Sequence, residues 1–389
     1  IHNSKVLLGS ATPSLESLYN VKREKYGYIH LSKRFENFQK PDIEIVDIKD
    51  KYFRKRMNGH FSDILIQEIE QTLQQGSQVI LFQNQRGYAP MVQCESCGTV
   101  PQCPHCDVSL TYHRGRNQLR CHYCGYTIAM PEVCIACGSP NFKMKGFGTE
   151  QIVKELAVLF PDIVVDRMDQ DTVSRKYGYE KILSKFEQQE TQILVGTQMI
   201  SKGLDFENVG LVGVMNADSL IHFPDFRAHE RSFQLLMQVS GRAGRSSKKG
   251  KVLIQTYNPK HPVLQQVISN DFRTMFQTQL QERSEFLYPP FVRLLKITFK
   301  HTDFNKVNEG ADWFAKALAH GFSSQDGLHL LGPEFPLVSR IRNEYMKDIL
   351  IKISPQISVE KVKKFILRTE TSFLSIPNFR AVRVIFYVE

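Results

Sequence analysis

Long apolar stretches are missing from this sequence. Nowhere in its 389 residues is there a run near the ~18 apolar residues of a membrane-crossing helix, so no spanning helix and no membrane partner are expected. The first residues, Ile1-His2-Asn3-Ser4, carry no basic stretch leading into an apolar segment, so a secretion signal is not visible either. The chain does not begin with Met, and it is expected to be part of something longer. Low-complexity tracts are absent, which with 42% hydrophobic and 23% charged residues excludes collagen and a disordered tail. Cysteine is absent outside residues 94–137. Acidic residues are outnumbered, 40 against 50 basic ones; a formal +10 favours anionic partners, nucleic acid first, and says nothing about fold.

The eight cysteines form four CxxC knuckles: Cys94/Cys97, Cys103/Cys106, Cys121/Cys124 and Cys134/Cys137. A CxxC turn aims two sulfurs at one tetrahedral centre, so two knuckles complete a four-thiolate zinc site and four knuckles make two. A disulfide scaffold fits poorly without a secretion signal. The middle knuckles are separated by 14 residues, near zinc-ribbon spacing. That favours a nested pairing, with Cys103, Cys106, Cys121 and Cys124 on one zinc and Cys94, Cys97, Cys134 and Cys137 on the other; an interleaved cross-brace is the alternative. Four thiolates close each site, so catalytic zinc is not expected, and His105, His113 and His122 read as packing or surface residues. Eight thiolates with two zinc ions would lower the formal charge from +10 to about +6, which weakens the charge argument.

Around the knuckles, short apolar strands alternate with helical periodicity. Val6-Leu7-Leu8 and Ile43–Ile48 read as strands, Phe61–Gln75 as a helix with Ser62 as N-cap and Gly76 as stop, and Val79–Phe82 as a buried strand. Beyond the cysteines come a helix capped by Thr149 and ending at Phe160, a strand at Ile163–Val165, a helix at Tyr177–Gln188, and strands at Ile193–Val195 and Leu211–Met215. A helix at Ala228–Val239 and a strand at Val252–Ile254 follow. This alternation predicts a parallel sheet with right-handed crossovers, interrupted by the cysteine module. One long helix is predicted from His261 to Glu285, ended by Tyr288-Pro289-Pro290-Phe291. A small α+β domain then follows: strand Leu294–Phe299, helix Phe304–Ala319, strand Ile349–Ile353, helix Val359–Thr371 and strand Ala381–Val388.

Three segments are candidates for chemistry. Leu7-Leu8-Gly9-Ser10-Ala11-Thr12-Pro13-Ser14 sets small hydroxyl residues after an apolar run, which a helix cap explains equally well. Gly196-Thr197-Gln198-Met199-Ile200-Ser201-Lys202-Gly203-Leu204-Asp205-Phe206 follows a strand at the carboxyl edge of the predicted sheet, where ligands bind. Gln238-Val239-Ser240-Gly241-Arg242-Ala243-Gly244-Arg245 ends a helix with two guanidiniums three residues apart, a pattern suited to phosphate.

In this order, GSATP, GTQMISKG and QVSGRAGR resemble motifs III, V and VI of superfamily 2 helicases. With a double zinc module inserted after Leu81-Phe82-Gln83-Asn84-Gln85-Arg86-Gly87-Tyr88-Ala89-Pro90, and with Asp225–Arg231, Tyr288–Phe291 and Leu331-Gly332-Pro333, the chain resembles the PriA family of primosomal replication-restart DNA helicases along essentially its whole length. The resemblance implies the end of helicase lobe 1 at 1–36, a RecA-like lobe 2 at 37–91 and 140–284, the zinc module at 92–139 and a carboxyl-terminal DNA- and partner-binding α+β domain at 285–389. It implies ATP and Mg²⁺ as cofactors of the longer protein, beside two structural zinc ions, and 3′-to-5′ movement along one strand. The implied partners are forked and single-stranded DNA, single-strand-binding protein and primosome components. A cytoplasmic monomer at replication forks is implied as well.

By motif position, Arg245 would be the arginine finger with Arg242 as its partner, and Gln238 the nucleotide sensor. Gly203 would let the backbone approach the nucleotide closely, and Asp205 would meet the ribose or organise the motif VI arginines. Thr197, Gln198 and Lys202 would grip DNA phosphates or relay nucleotide state, Arg86 would meet the DNA backbone, and Ser10 and Thr12 would couple hydrolysis to lobe movement. Bland readings remain beside these: a helix cap for Asp205, a solvated charge for Lys202, a salt bridge for Arg86 and a structural turn for the arginines. Arg340, Arg342 and Lys347 are consistent with DNA binding and equally with a solvated face. Tyr112, Tyr123 and Tyr126 suit a strand-separating wedge or docking site, or the packing of a metal-stapled core. No G-x-x-x-x-G-K-[ST] occurs in the chain, nor a DExH-type box ahead of Gly9, so the chain by itself is expected not to hydrolyse ATP. The competing readings are another superfamily 2 helicase, including an RNA helicase, and a nonenzymatic zinc-ribbon module.

Overall fold

The computed structural model describes residues 4–31, 40–84, 91–94, 96–97, 99–113, 117–121, 123–145, 148–173, 178–201, 206–244, 249–322 and 327–388. The chain forms two compact units, Ile1–Ala89 with Phe147–Leu280, and Pro90–Gly146 with Gln281–Glu389.

The first unit is built on a six-stranded parallel sheet. Its order is Asp42–Asp47, Lys251–Thr256, Val209–Val214, Gln78–Phe82, Ile193–Gly196, Val165–Met168. Gln78–Phe82 lies between neighbours on both sides and is buried throughout, as its unbroken apolar run demands. One face is covered by the helices Asp63–Gln74 and Thr149–Leu159 through Leu65, Ile69, Ile152 and Leu156. The opposite face buries Phe186, Phe233, Leu236, Val239, Leu264 and Val267, together with Leu15 from the first helix, Leu15–Lys22.

Local signals account for most element ends. Ser62 caps the Asp63–Gln74 helix by accepting from Leu65 N, and Gly76 takes the left-handed φ of +72° that stops it. Four expectations change. Val6-Leu7-Leu8 is not a strand: it runs as irregular chain, with Leu7 91% exposed, and forms no ladder among the described residues. Gly148, not Thr149, is the N-cap of the Thr149–Leu159 helix, and the Thr149 hydroxyl donates to Asp169 instead. The strand expected at Ile163–Val165 is Val165–Met168. The single helix expected from His261 to Glu285 is two, Pro262–Ser269 and Phe272–Glu285, because Asn270 adopts φ +54° and closes the first with a left-handed cap.

In the second unit the carboxyl-terminal chain forms an antiparallel sheet ordered Leu328–Glu334, Glu344–Ile353, Arg293–His301, Arg383–Val388. The short strand Arg340–Ile341 pairs with Glu344–Ile353 as a hairpin. The helices Phe304–Gly321 and Val359–Ser375 pack on this sheet around Phe299, Phe314 and Phe373. The cysteine segment contributes a three-stranded sheet, Thr111–His113, Gln118–Arg120 and Thr127–Ala129. A strand pair, Met91–Cys94 with Phe142–Lys145, completes it. Its small core holds Val92, Leu110, Leu119 and three cysteines.

Candidate motor and metal sites

The hydroxyl-rich turn near the amino terminus is held by one helix. Thr12 N donates to Ser10 Oγ at 3.1 Å, and Ser14 caps Leu15–Lys22 by accepting from Ser17 N at 3.2 Å. Leu15 N donates to Glu230 Oε1 at 2.9 Å. Gln234 Nε2 donates to Thr12 O at 3.2 Å and Pro13 O at 3.4 Å, and the Arg227 guanidinium meets Glu16 at 3.2 Å. Glu230 and Gln234 stand one turn apart on the Ala228–Ser240 helix, so they share a face. Gln238 is the next residue in that row and is exposed. The sequence motifs assign no role to Glu230 or Gln234. The available signal is an acidic residue in the helical row that carries Phe233 and Met237, and the fold buries it to 3% exposure.

The same helix ends at Ser240, with Gly241 as cap, and delivers Arg242, which is half-buried and donates its backbone N–H to Val239 O at 3.0 Å. The next turn requires glycine twice over. Gly244 has φ +72°, and a Cβ there would stand 2.2 Å from Gly250 N. Gly244 N also donates to Val209 O at 3.0 Å, which pins this turn to the start of the Val209–Val214 strand.

Thr197, buried, follows the carboxyl end of Ile193–Gly196 and donates its N–H to Met168 O at 3.2 Å. Gln198 opens a 3-10 turn, Gln198–Ser201, that packs against Ala228–Ser240. One helix therefore gathers Ser10, Thr12, Gln198, Gln238 and Arg242 on a single side of the sheet. Thr197 stands at the carboxyl edge and the Arg242 segment turns toward the amino edge. Arg86, Lys202, Gly203, Asp205 and Arg245 lie outside the described residues.

The cysteines gather as two groups of four, Cys94/Cys97/Cys134/Cys137 and Cys103/Cys106/Cys121/Cys124, with all ligand atoms of a group within 4.8 Å of one another. This is the nested pairing. The sulfur separations Cys94–Cys137 (3.6 Å), Cys97–Cys134 (3.6 Å) and Cys103–Cys124 (3.5 Å) suit the ~3.8 Å edge of a tetrahedron with Zn–S of ~2.3 Å, and are far from the ~2.05 Å of a disulfide. The donor set thus fits two zinc ions.

The two groups differ in setting. Cys97 and Cys137 of the outer group are exposed; Cys103, Cys106 and Cys121 of the inner group are buried. In the metal-free thiols the shifts vary within each group: in the outer one the Thr99 hydroxyl and amide hold the Cys97 pKa at about 6 while, against the Ser139 amide, the neighbouring sulfurs push Cys137 up to about 12, and in the inner one burial pushes Cys106 up to about 12. His105 belongs to neither group: its Nδ1 meets Asn343 Oδ1 at 3.1 Å. His122 lies outside the described residues.

Three family models match this chain: the PriA DNA helicase Cys-rich region domain at residues 103–128, the helicase conserved C-terminal domain at 149–247 and the primosomal protein N C-terminal domain at 284–384. The replication restart protein PriA of Bacillus subtilis is 42% identical over 94% of this chain and 45% of its own length. That of Haemophilus influenzae is 40% identical over 92% of this chain and 48% of its own, and that of Synechocystis 38% over 92% and 44%. The chain belongs to the PriA family. It spans about half the length of the curated PriA relatives it matches.

In PriA terms, the Cys-rich model covers the inner cysteine group. The helicase model covers Thr197 at the carboxyl edge of the sheet, Gln198 in the turn packed on the Ala228–Ser240 helix, and Gln238 and Arg242 on and just beyond that helix. The basic residues singled out in the carboxyl-terminal domain are committed within the protein. Arg340 pairs with Asp107 at 2.9 Å and Arg342 Nε donates to Tyr123 O at 3.2 Å. Lys347, 7% exposed, bonds Asn308 and pairs with Asp312 at 2.9 Å. Each of the three therefore has a partner within the protein.

Proposed function

We propose that this chain supplies the second motor lobe, the zinc module and the carboxyl-terminal domain of an ATP-dependent 3′-to-5′ DNA helicase. That helicase recognises stalled or branched replication forks and initiates primosome assembly for replication restart. One observation carries the motor reading: the Ser10–Leu15 turn hangs from the very helix that delivers Arg242 and leads into Arg245. A change at the arginine turn is thereby transmitted through Gln234 and Glu230 to the hydroxyl turn without crossing solvent.

In this reading ATP supplies the energy of γ-phosphoryl transfer, bound with Mg²⁺ by a P-loop that this sequence does not contain. Arg245 stabilises charge on the γ-phosphoryl with Arg242 beside it, and Gln238, exposed on the same helix, contacts the nucleotide. Gly203 permits close backbone approach, and Asp205 orders the motif. Thr197, Gln198, Lys202 and Arg86 hold DNA phosphates, which makes the grip sequence-independent and salt-sensitive. The two zinc ions staple the inserted module. Single-strand-binding protein and primosome components are the partners of a cytoplasmic monomer acting at forks. The domain limits are those given by the resemblance: lobe 1 to residue 36, lobe 2 to 284, the zinc module at 92–139 and the partner-binding domain from 285.

The test is direct. The zinc-loaded 389-residue chain is titrated with forked DNA, single-stranded DNA and duplex RNA over a range of salt, and its ATP hydrolysis is measured with and without DNA. Salt-dependent binding that favours forked DNA, with no turnover, is expected. DNA-stimulated turnover by this chain, or a preference for duplex RNA, overturns the reading.

A further inference from the structure

The inner cysteine group is embraced by a hairpin that arrives from far along the chain. The strands Arg340–Ile341 and Glu344–Ile353 are joined by Arg342 and Asn343, whose φ values of +54° and +63° form the mirror-image two-residue turn that twisted hairpins favour. That turn reaches both knuckles of the inner group. Arg342 N donates to Cys106 Sγ at 3.2 Å, and Asn343 N donates to His105 O at 2.7 Å inside the Cys103/Cys106 knuckle. Arg342 Nε donates to Tyr123 O at 3.2 Å inside the Cys121/Cys124 knuckle. Ile341 packs against the small core that holds Cys103, Cys106 and Cys121. At the base of the hairpin, Asp107, next to Cys106, receives the Arg340 Nε at 2.9 Å and the Ser339 hydroxyl at 2.7 Å, and its own N–H donates to Arg340 O at 2.9 Å.

A thiolate that binds zinc keeps much of its negative charge, and an N–H aimed at the sulfur stabilises it. Removing groups that orient and hydrogen-bond the ligands typically costs ~10–100-fold in metal affinity. Other amides that reach the inner sulfurs, His105 N to Cys103 and Tyr126 N to Cys124, both at 3.4 Å, come from within a knuckle or two residues beyond one. The Arg342 amide comes from the carboxyl-terminal domain, and it arrives only when the hairpin is seated.

We propose that the Ser339–Asn343 hairpin is the outer clasp of the inner zinc site, so that zinc retention there and docking of the carboxyl-terminal domain on the zinc module are one linked equilibrium. Zinc holds both knuckles in the shape that the turn recognises, and the turn in return supplies an amide to a ligand sulfur and excludes water from it. By linkage each favours the other by the same factor. The outer group shares none of these hairpin contacts among the described residues, so the linkage is confined to one of the two metals.

The experiment uses the zinc-loaded chain and a chromogenic chelator. Cysteines freed as each metal leaves are alkylated and assigned by mass spectrometry. The double variant Arg340→Ala with Asn343→Gly removes the Asp107 and His105 side-chain contacts, and glycine retains the positive φ of the turn. It is expected to release zinc from Cys103/Cys106/Cys121/Cys124 at least ~10-fold faster while release from Cys94/Cys97/Cys134/Cys137 is unchanged. Arg340→Lys, which keeps a cation for Asp107, is expected to restore part of the difference. Unchanged release from the inner group, or equal acceleration at both groups, overturns the proposal. A reciprocal measurement needs no variant. When zinc is withdrawn from the unaltered chain, amide exchange at Arg342 and Asn343 is expected to accelerate while the Arg293–His301 strand stays protected. Exchange at Arg342 that ignores the metal overturns it equally.

Discussion

Glu230 is a buried carboxyl side chain on the Ala228–Ser240 helix, and its removal should free the amino-terminal turn specifically. Its Oε1 accepts from Leu15 N at 2.9 Å and from Gln234 Nε2 at 3.3 Å, and it stands at the first turn of the Leu15–Lys22 helix. Hydrogen bonds to charged groups contribute ~1.5–3 kcal/mol, and an acidic group at a helix amino terminus adds ~0.3–1 kcal/mol. Glu230→Ala should therefore weaken attachment of residues 10–22 by about 2 kcal/mol, close to a 30-fold rise in local opening. Native-state amide exchange is the assay. Amides of Leu15–Lys22 should exchange about 30-fold faster, while those of Gln78–Phe82, buried at the sheet centre and released only on global unfolding, change much less. Glu230→Gln keeps an acceptor oxygen and loses the charge, so it should fall between. Wild-type protection of Leu15–Lys22 in the alanine variant would refute the clamp; equal acceleration in helix and central strand would turn it into a general core defect.

Other expectations concern separate parts of the molecule. Burial raises the Glu155 pKa, but the His60 ring and amide and Gln151 outweigh it and hold the carboxyl below its usual range. A lowered folded pKa stabilises above the unfolded value and is lost as pH falls through the folded one. Glu155→Gln should thus destabilise at pH 7 and converge with wild type below about pH 4 in urea melts; a pH-independent gap counts against it. Gly244→Ala must bear both a left-handed φ and overlap with Gly250. It should lower the melting temperature well beyond Gly76→Ala, which has φ +72° and no neighbour within 4 Å and so bears only ~1 kcal/mol of strain; equal shifts would contradict the close approach. A chelator should empty the outer cysteine group, with Cys97 and Cys137 exposed, before the inner one, and alkylation footprints that appear together would contradict the difference in burial.

The sequence displayed its metal chemistry most openly. Ligand identity and spacing are local, so four knuckles and a 14-residue gap were enough to anticipate the nested pairing. Buried strands such as Gln78–Phe82 were legible because continuous apolar runs have few alternatives, and helix ends with caps, such as Ser62 and Gly76, followed from the chemistry of those residues. Features set by distant partners were not legible. Val6-Leu7-Leu8 has strand composition but pairs with no strand among the described residues. Arg340, Arg342 and Lys347 look like any basic surface until Asp107, Tyr123 and Asp312 are placed beside them. Glu230 and Gln234 gain their meaning from residues more than 200 positions away. The break at Asn270 was missed because apolar periodicity continues across it, and one left-handed residue suffices to end a helix.

In the proposed function, the chain segment that follows the helix carrying Gln238 brings Arg242 and Arg245 to a triphosphate held by a P-loop lobe. The most direct measurement joins this chain to such a lobe and compares DNA-stimulated ATP hydrolysis of the wild type with that of Arg245→Ala and Arg242→Ala. A fall of ~10³-fold or more is expected for Arg245→Ala, with a smaller loss for Arg242→Ala and unchanged affinity for forked DNA in both. Undiminished turnover in the Arg245→Ala protein would contradict it.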